Sequence, residues 1–148
     1  QGTYYVFYNA KTRGTSWREQ TGYVSSKDLR NWKRFEGNPV IRNGPRGSLD
    51  EIFASDPCVL QYAEGWAIFY YSLDGKGVAR DLLALSPDLR RGAKCRGALI
   101  DVGPPGSVDS KYAHKPSVVF LNGVLYHYYC AVSPEFGRGI SVATSRPV

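Results

Sequence analysis

Two polar residues stand close before prolines at the start of predicted β-strands. Asp56 lies directly before a proline in Ser55-Asp-Pro-Cys-Val-Leu60, and His114 lies two residues before one in Ala113-His-Lys-Pro-Ser-Val-Val119. An ionised aspartate can activate or orient water, and a histidine, with an ordinary pKa of about 6.5, can donate a proton near neutral pH. The pair predicts acid/base chemistry, although an Asp before Pro is also typical of a structural turn.

The chain repeats itself at a spacing of about sixty residues, which tells us what must position these side chains. Gly2-Thr-Tyr-Tyr-Val-Phe-Tyr-Asn9, Gly65-Trp-Ala-Ile-Phe-Tyr-Tyr-Ser72 and Gly123-Val-Leu-Tyr-His-Tyr-Tyr-Cys130 each place an aromatic, β-branched strand after a glycine. A second strand follows each time, and an inner strand precedes the glycine in two of the three units. Such a unit is typical of one blade of a β-propeller.

We therefore predict an all-β fold, a β-propeller of about three blades in a single domain over residues 1–148. The blades cover approximately 1–41, 55–102 and 114–148. The first has no visible inner strand, and the third stops before its outer strand. The ten predicted strands are 3–10, 21–26, 32–35 (running towards 40), 57–62, 66–72, 82–86, 94–101, 116–121, 124–132 and 140–144.

Three blades are fewer than the four to eight that a propeller typically needs to close. Three explanations stay open: the chain is a fragment, copies of the chain complete one another, or three blades close tightly. The chain contains no Met and begins with Gln1, which favours a fragment or a matured form. Because open blade edges invite pairing, we expect a homo-oligomer.

Alternating strand direction brings five connecting segments to one face of the predicted propeller. The segments are 11–20, 42–55, 73–80, 102–114 and 133–138, and they are rich in Asp, Glu, His, Arg and Trp. Functional loops are usually carried on a rigid scaffold in this way, so we expect the site on this face.

Composition narrows the class of protein. The net charge is +6, but the basic residues are scattered and no nucleic-acid module is present, so we expect no nucleic-acid partner. No apolar run reaches the length of about 18 residues that a membrane span needs, and no signal peptide is visible. The three cysteines show neither a disulfide framework nor metal-ligand spacing.

Several motifs resemble those of a known superfamily. Ser25-Ser-Lys-Asp-Leu-Arg-Asn-Trp32 resembles the S-x-D-L-x-x-W element of the five-bladed β-propeller glycoside hydrolases, and Ser86-Pro-Asp-Leu89 is a partial copy. The segment around Asp56 resembles their D-P-x-V strand start, and the segment around His114 resembles a later inner strand. The resemblance covers nearly the whole chain and is to the family 43 type of fold, shared with families 32, 62, 117 and 130.

The resemblance implies roles for particular residues. Those enzymes use an inner-strand Asp as base, a second Asp that tunes the acid, and usually a Glu as acid. Asp56 matches the inner-strand Asp, and whether it is the base or the tuning residue stays open. His114 stands near where family 43 often carries the acid, and family 117 has a histidine proposed as donor. Glu51 and Glu135 are the alternative acids.

The resemblance also implies a substrate and a setting. We expect a glycoside hydrolase of the pentosidase type (xylosidase or arabinofuranosidase), inverting, acting on plant or algal saccharides such as xylan, and located outside the cell or in the periplasm. A calcium ion beside His114 is implied by some relatives. The alternatives are a non-catalytic carbohydrate-binding propeller and an interaction scaffold. The predicted substrate-binding residues are Trp17, Arg18, Asp50, Asp109 and Arg138.

Overall fold

The computed structural model describes residues 2–11, 13–14 and 16–147. These residues contain ten β-strands and no helix, which confirms the all-β prediction. The strands are β1 (Tyr4–Lys11), β2 (Glu19–Ser26), β3 (Lys33–Arg34), β4 (Phe53–Tyr62), β5 (Gly65–Leu73), β6 (Ala79–Ser86), β7 (Ala93–Lys94), β8 (Tyr112–Leu121), β9 (Val124–Ser133) and β10 (Gly137–Thr144).

The strands form three antiparallel units, which we call blades. Blade 1 contains β1, β2 and β3, blade 2 contains β4 to β7, and blade 3 contains β8 to β10. Short parallel pairings join the blades, between Glu19 and Phe53 and between Ala79 and Tyr112. Because both joints involve the first residues of an inner strand, the starts of β4 and β8 lie at blade junctions.

The strand ends differ from the predicted ones at the inner and outer strands. The outer strands β3 and β7 contain two residues each, and the chain after β3 continues as an extended segment whose Val40 and Ile41 are buried. The inner strands begin at Phe53 and Tyr112, so Asp56 and His114 lie inside strands rather than in the connections before them. The prolines are accommodated because each inner strand has a bulge there, where no ladder hydrogen bond is needed.

The two bulges show which positions of the inner strands correspond. The register shifts between Ser55 and Cys58 in β4 and between His114 and Ser117 in β8. Asp56, with φ 44°, and Lys115, with φ 67°, occupy the same left-handed position of their bulges. Asp56 and His114 are therefore not in equivalent positions, because alignment by the prolines makes Lys115 equivalent to Asp56 and His114 equivalent to Ser55.

Apolar side chains between blades fix their relative positions. Between blades 1 and 2, Tyr23, Ile68 and Tyr70 belong to one buried cluster, and Tyr23 stacks on Phe35 with ring centroids 5.0 Å apart. Between blades 2 and 3, Ala67, Phe69 and Val118 form a second cluster. Burying a large apolar side chain contributes roughly 1.5–3 kcal/mol, so these clusters hold neighbouring blades against each other.

The two connections that lead into the inner strands share a second repeated motif. They read Gly44-Pro-Arg-Gly-Ser-Leu-Asp50 and Gly103-Pro-Pro-Gly-Ser-Val-Asp109. The hydroxyl of Tyr70 donates to Asp50 over 3.1 Å, and that of Tyr129 donates to Asp109 over 2.8 Å. Each aspartate therefore anchors its connection to the second strand of the blade that follows.

No helix in the described residues is long and apolar enough to cross a membrane. Cys58, Cys95 and Cys130 are all free thiols.

Candidate functional site

Asp56 lies where side chains from three blades meet. Asn9, near the end of β1, donates its side-chain N–H to the Asp56 carboxylate and accepts the Asp56 backbone N–H over 2.8 Å. From blade 3, the Nζ atom of Lys115 lies 3.6 Å from Oδ2 of Asp56. The carboxylate keeps 30% of its side-chain surface exposed, so it is fixed in place yet accessible to a ligand.

His114 is 5% exposed and lies within electrostatic reach of this carboxylate. Its ring lies 5.0 Å from that of Tyr71 and 5.6 Å from that of Tyr112, between centroids. Burial lowers the pKa of His114 below its usual 6.5, and the positive charges of Lys115 and Arg138 lower it further. The Cys130 backbone and Asp56 raise the pKa of His114, but by less than the other causes lower it. The ring is therefore mainly neutral at pH 7.

A second carboxylate, Glu19, belongs to the same neighbourhood. Burial raises the pKa of Tyr71 to about 12, and the negative charges of Asp56 and Glu19 raise it in the same sense. Glu19 begins β2 and pairs with Phe53, whose ring packs edge-on against Tyr71 at 5.7 Å. The charges of Asp56 and Glu19 therefore both raise the pKa of Tyr71, whose ring also packs against that of His114.

Trp17 lies in the loop before β2 and is 63% exposed. Its Nε1 donates to Oε1 of Glu19 over 2.7 Å, and Nζ of Lys11 lies 4.6 Å from the ring centroid. The hydrogen bond to Glu19 ties this exposed indole to the group of residues around Tyr71. An indole face of this kind can stack on a sugar ring.

Two predicted residues form a link between loops. The side chain of Arg18 donates to the backbone carbonyl of Glu51 over 3.1 Å and lies 3.7 Å from its carboxylate. The Gly47 backbone N–H also donates to the Glu51 carboxylate, over 2.8 Å. Glu51 is thus held within the connection before β4, and its partners give it a structural role there.

The remaining predicted residues divide into two sets. Asp50 is buried and bonds to Nζ of Lys94 and to Tyr70. Asp109 accepts a hydrogen bond from Tyr129. Both aspartates therefore stabilise the connections before the inner strands. Glu135 is exposed in the turn between β9 and β10, whereas Arg138 at the start of β10 acts electrostatically on His114. The charges of Asp56 and Arg138 both act on His114, so these three predicted residues lie in one neighbourhood. Asp50, Asp109 and Glu51 are instead bonded to residues that hold the connections in place.

Sequence reasoning missed Asn9, Glu19, Tyr71, Tyr112 and Lys115. For Lys115 a signal existed, because aligning the two Pro-containing segments by their prolines places it on Asp56. The other four come from strand interiors or strand ends whose side-chain partners depend on how neighbouring blades pack.

The residues near His114 do not by themselves make a calcium site. Calcium takes six to eight oxygen ligands. In the described part of the chain, no three His, Cys, Asp or Glu side chains are grouped so that they could hold a metal ion. The calcium prediction stays a prediction, and the chemistry proposed below uses no metal.

A mainly apolar cavity lies elsewhere. It measures about 530 Å³ and lies between strands of blades 2 and 3, with mainly apolar walls that include Phe69, Leu83 and Leu125. None of the site residues described above lines it, so we do not assign the chemistry to this cavity.

Comparison with known proteins identifies the class of fold. No family model matches the sequence, and no curated protein matches it. Among solved structures, BT0996 in a complex with RGII is 33% identical with a TM-score of 0.79, and a protein described as a glycoside hydrolase is 32% identical with a TM-score of 0.79. Each match covers 97% of this chain and 41% of the other.

A more distant structure has a similar fold. Zg3597, a family 117 glycoside hydrolase of the marine bacterium Zobellia galactanivorans, has a TM-score of 0.84 at 16% identity, over 97% of this chain and 49% of that one. The chain has the fold of the propeller glycoside hydrolase superfamily, as its motifs predicted. It spans about two-fifths of the length of BT0996 and of the protein described as a glycoside hydrolase.

Proposed function

We propose that this chain carries part of the active site of a glycoside hydrolase. The observation that supports the proposal most strongly is Asp56, an accessible carboxylate held by Asn9 from blade 1 and by Lys115 from blade 3. Because both neighbouring blades hold this carboxylate, it is kept in one place for a ligand. The similarity above 30% identity to a glycoside hydrolase supports the same class.

We assign the roles of acid and base to different residues of the site. Hydrolysis of a glycosidic bond needs a proton for the leaving oxygen and a base or nucleophile on the other side of the sugar. In our proposal Asp56 orients or deprotonates the attacking water, or tunes the donor. His114 donates the proton from a ring nitrogen. Glu19 is the second carboxylate of the proposed site, in place of Glu51 or Glu135, which were predicted as alternative acids.

The proposed substrate is a carbohydrate. The exposed ring of Trp17 offers a stacking surface, and Lys115 and Arg138 offer positive charges for hydroxyl or carboxylate groups. The structure of BT0996 was determined in a complex with RGII, which agrees with a saccharide ligand. The inverting outcome, the pentosidase and family 43-like assignment, the homo-oligomer and the location outside the cell or in the periplasm stay predictions.

A non-catalytic carbohydrate-binding propeller is the second candidate. The low pKa of His114 favours it, because a mainly neutral imidazole is a poor proton donor at neutral pH. Both candidates predict binding of saccharides, and only the hydrolase predicts turnover.

A screen separates the two candidates. The protein is incubated at pH 5 to 8 with plant and algal polysaccharides and aryl glycosides, and both reducing-end release and saccharide binding are measured. Release of sugar supports the hydrolase. Binding without release over the whole pH range supports the binding module, and neither binding nor release contradicts both.

A further inference from the structure

One row of register partners crosses all three blades at the level where the inner strands begin. Each residue of the row pairs with the next, in the order Glu19, Phe53, Leu73, Ala79, Tyr112, Val132 and Arg138. The strands β2, β6 and β10 enter this row at Glu19, Ala79 and Arg138, so these residues occupy equivalent positions of their blades. The residue at this position is acidic in blade 1, neutral in blade 2 and basic in blade 3.

Blade 3 differs from blade 2 in the same direction at two further positions. Lys115 occupies the left-handed bulge position that Asp56 occupies in β4. Lys111 occupies the position of Ile52, because each residue directly precedes its inner strand and donates its backbone N–H over 2.9 Å to the strand that pairs with that inner strand. At each of these positions blade 3 carries a basic residue where blade 2 carries an acidic or an apolar one.

Two arginines that the other blades place on this face are already paired within the protein. Arg18, before β2, lies 3.7 Å from the Glu51 carboxylate and also donates to the backbone carbonyl of that residue. Arg80, in β6, lies 2.8 Å from the carboxylate of Asp74 and 2.6 Å from that of Asp101. Their positive charges are therefore largely compensated before any ligand binds.

The basic side chains of blade 3 are free to bind a ligand. Lys111 and Arg138 are exposed, and neither forms a salt bridge with a carboxylate of the described residues. The Lys115 side chain is 53% exposed and lies 3.6 Å from Asp56, and an exposed ion pair of this kind contributes little to stability. Nζ of Lys111 lies 5.2 Å from the ring centroid of Tyr112, which belongs to the same row as Arg138.

We propose that blade 3 binds the anionic group of an acidic saccharide, a uronic acid carboxylate or a sulfate ester, through Lys111, Lys115 and Arg138. Exposed cations without protein partners attract an anion, whereas a neutral saccharide gains little from them. Asp56 and Glu19 belong to blades 2 and 1, so the cations and the carboxylates lie on different sides of the site, with Lys115 between them. The proposal rests on the proposed function, because it names the substrate class of the same site.

Matched saccharides test the preference for an anion. The wild-type protein is titrated in a calorimeter with polygalacturonate and its carboxyl-reduced product, and with a sulfated algal galactan and its desulfated product. We expect the anionic member of a pair to bind about tenfold more tightly, because the neutral member lacks charge-assisted hydrogen bonds. The difference should shrink between about 0.05 M and about 0.5 M NaCl, since salt screens exposed charges. The pair that shows the preference identifies the anion.

Glutamine variants test the residues. Lys115→Gln and Arg138→Gln should each weaken binding of the anionic saccharide about tenfold and leave binding of its neutral counterpart unchanged. The control is Lys27→Gln, which removes an exposed lysine from the turn after β2, at the opposite end of that strand from Glu19. This variant should bind both members of each pair as the wild-type protein does.

Several results would overturn the proposal. One is equal binding of the two members of each pair, and another is no binding of any of them. A loss in Lys27→Gln as large as that in Lys115→Gln would also overturn it, because attraction by overall charge would then explain the preference. Release of sugar from neutral substrates without any preference for anions would overturn this proposal and leave the hydrolase intact. Tight binding of an anionic saccharide without release at any pH would support this proposal and contradict the hydrolase.

Discussion

Asp56 owes its position to a backbone conformation that residues other than glycine seldom adopt. Its φ of 44° turns the side chain out of the strand pattern at the bulge, and Asn9 bonds both its carboxylate and its backbone N–H. A non-glycine residue in this conformation suggests a function when its surroundings fix it. Asn9 is therefore the side chain that fixes the carboxylate of the proposed site.

Replacing Asn9 tests this dependence. Asn9→Ala should lower kcat by up to about thirtyfold, because two hydrogen bonds to Asp56 are lost, each with a net value of about 1 kcal/mol. The matched control is Asn31→Ala, which removes a similar bond to Asp28 in a surface turn. Steady-state kinetics on both variants makes the comparison, and equal activities would argue against a role for Asn9.

The environment of His114 sets the expected pH dependence of turnover. A donor must be protonated, and burial together with Lys115 and Arg138 lowers the pKa of His114 below 6.5. Turnover should therefore be highest at acidic pH and fall as pH rises through a value below 6.5. In His114→Gln the fall should disappear along with most of the activity, as measured in a pH–rate profile. A wild-type profile that rises from pH 5 to 8 would point to a different donor.

The local sequence signal led to Asp56 and His114, and in the structure the charge of Asp56 acts on His114. Their roles stay predictions. The sequence did not show that Asp50 and Asp109 bond to Tyr70 and Tyr129, because a loop aspartate gives no sign of a tyrosine partner two strands away. Glu19 was missed because it lies at a strand end, and its closeness to Tyr71 depends on the joint between blades.

At the scale of elements, the two repeated connections before β4 and β8 are tightly packed, and substitutions can test this packing. A Cβ atom on Gly44 would lie 2.2 Å from Oγ of Ser48, and one on Gly103 would lie 2.3 Å from Oγ of Ser107. Both glycines lie beside the aspartates that bond Tyr70 and Tyr129. The connections are thus closed tightly enough to fix where β4 and β8 begin.

Alanine substitutions measure that tightness. Gly44→Ala and Gly103→Ala should each destabilise the protein by about 1–3 kcal/mol, the usual cost of forcing extra atoms into a packed region. Gly139→Ala is the control, since nothing lies within 4 Å of its added Cβ. Denaturant unfolding measures the free energy of unfolding of each variant. If Gly44→Ala and Gly103→Ala lower it no more than Gly139→Ala does, the connections are not tightly packed.

The elements themselves were largely predictable. All ten strands were found, because aromatic and β-branched runs between glycines mark them clearly. The outer strands β3 and β7 were predicted too long, because the sequence does not distinguish a hydrogen-bonded strand from an extended connection. The inner strands were predicted too short, because the prolines were taken as strand starts when they lie in bulges.

At the scale of the whole molecule, two apolar blade faces are uncovered in the described structure. Tyr4 and Val6 are exposed on β1, and Ile140 and Val142 are exposed on β10, with Ile140 at 82%. The faces between the blades bury side chains of the same types. Exposed apolar faces of this kind favour association.

We predict that the isolated 148-residue chain self-associates through these faces. Ile140→Lys should weaken the association, because it places a charge in the contact, while Leu29→Lys, an exposed leucine in a turn, should not. Sedimentation over a wide concentration range measures the effect. A monomer at every concentration would contradict the prediction.

The proposed function depends above all on Asp56 acting as a catalytic carboxylate of a glycoside hydrolase. The most direct test measures kcat/KM of Asp56→Asn and compares it with that of the wild-type protein. The control is Glu64→Gln, which changes an exposed carboxylate in the turn between β4 and β5. We expect a loss of at least about a hundredfold for Asp56→Asn, the scale of general acid–base catalysis, with substrate binding retained and Glu64→Gln unaffected. Full activity in a folded Asp56→Asn variant would show that this carboxylate is not catalytic.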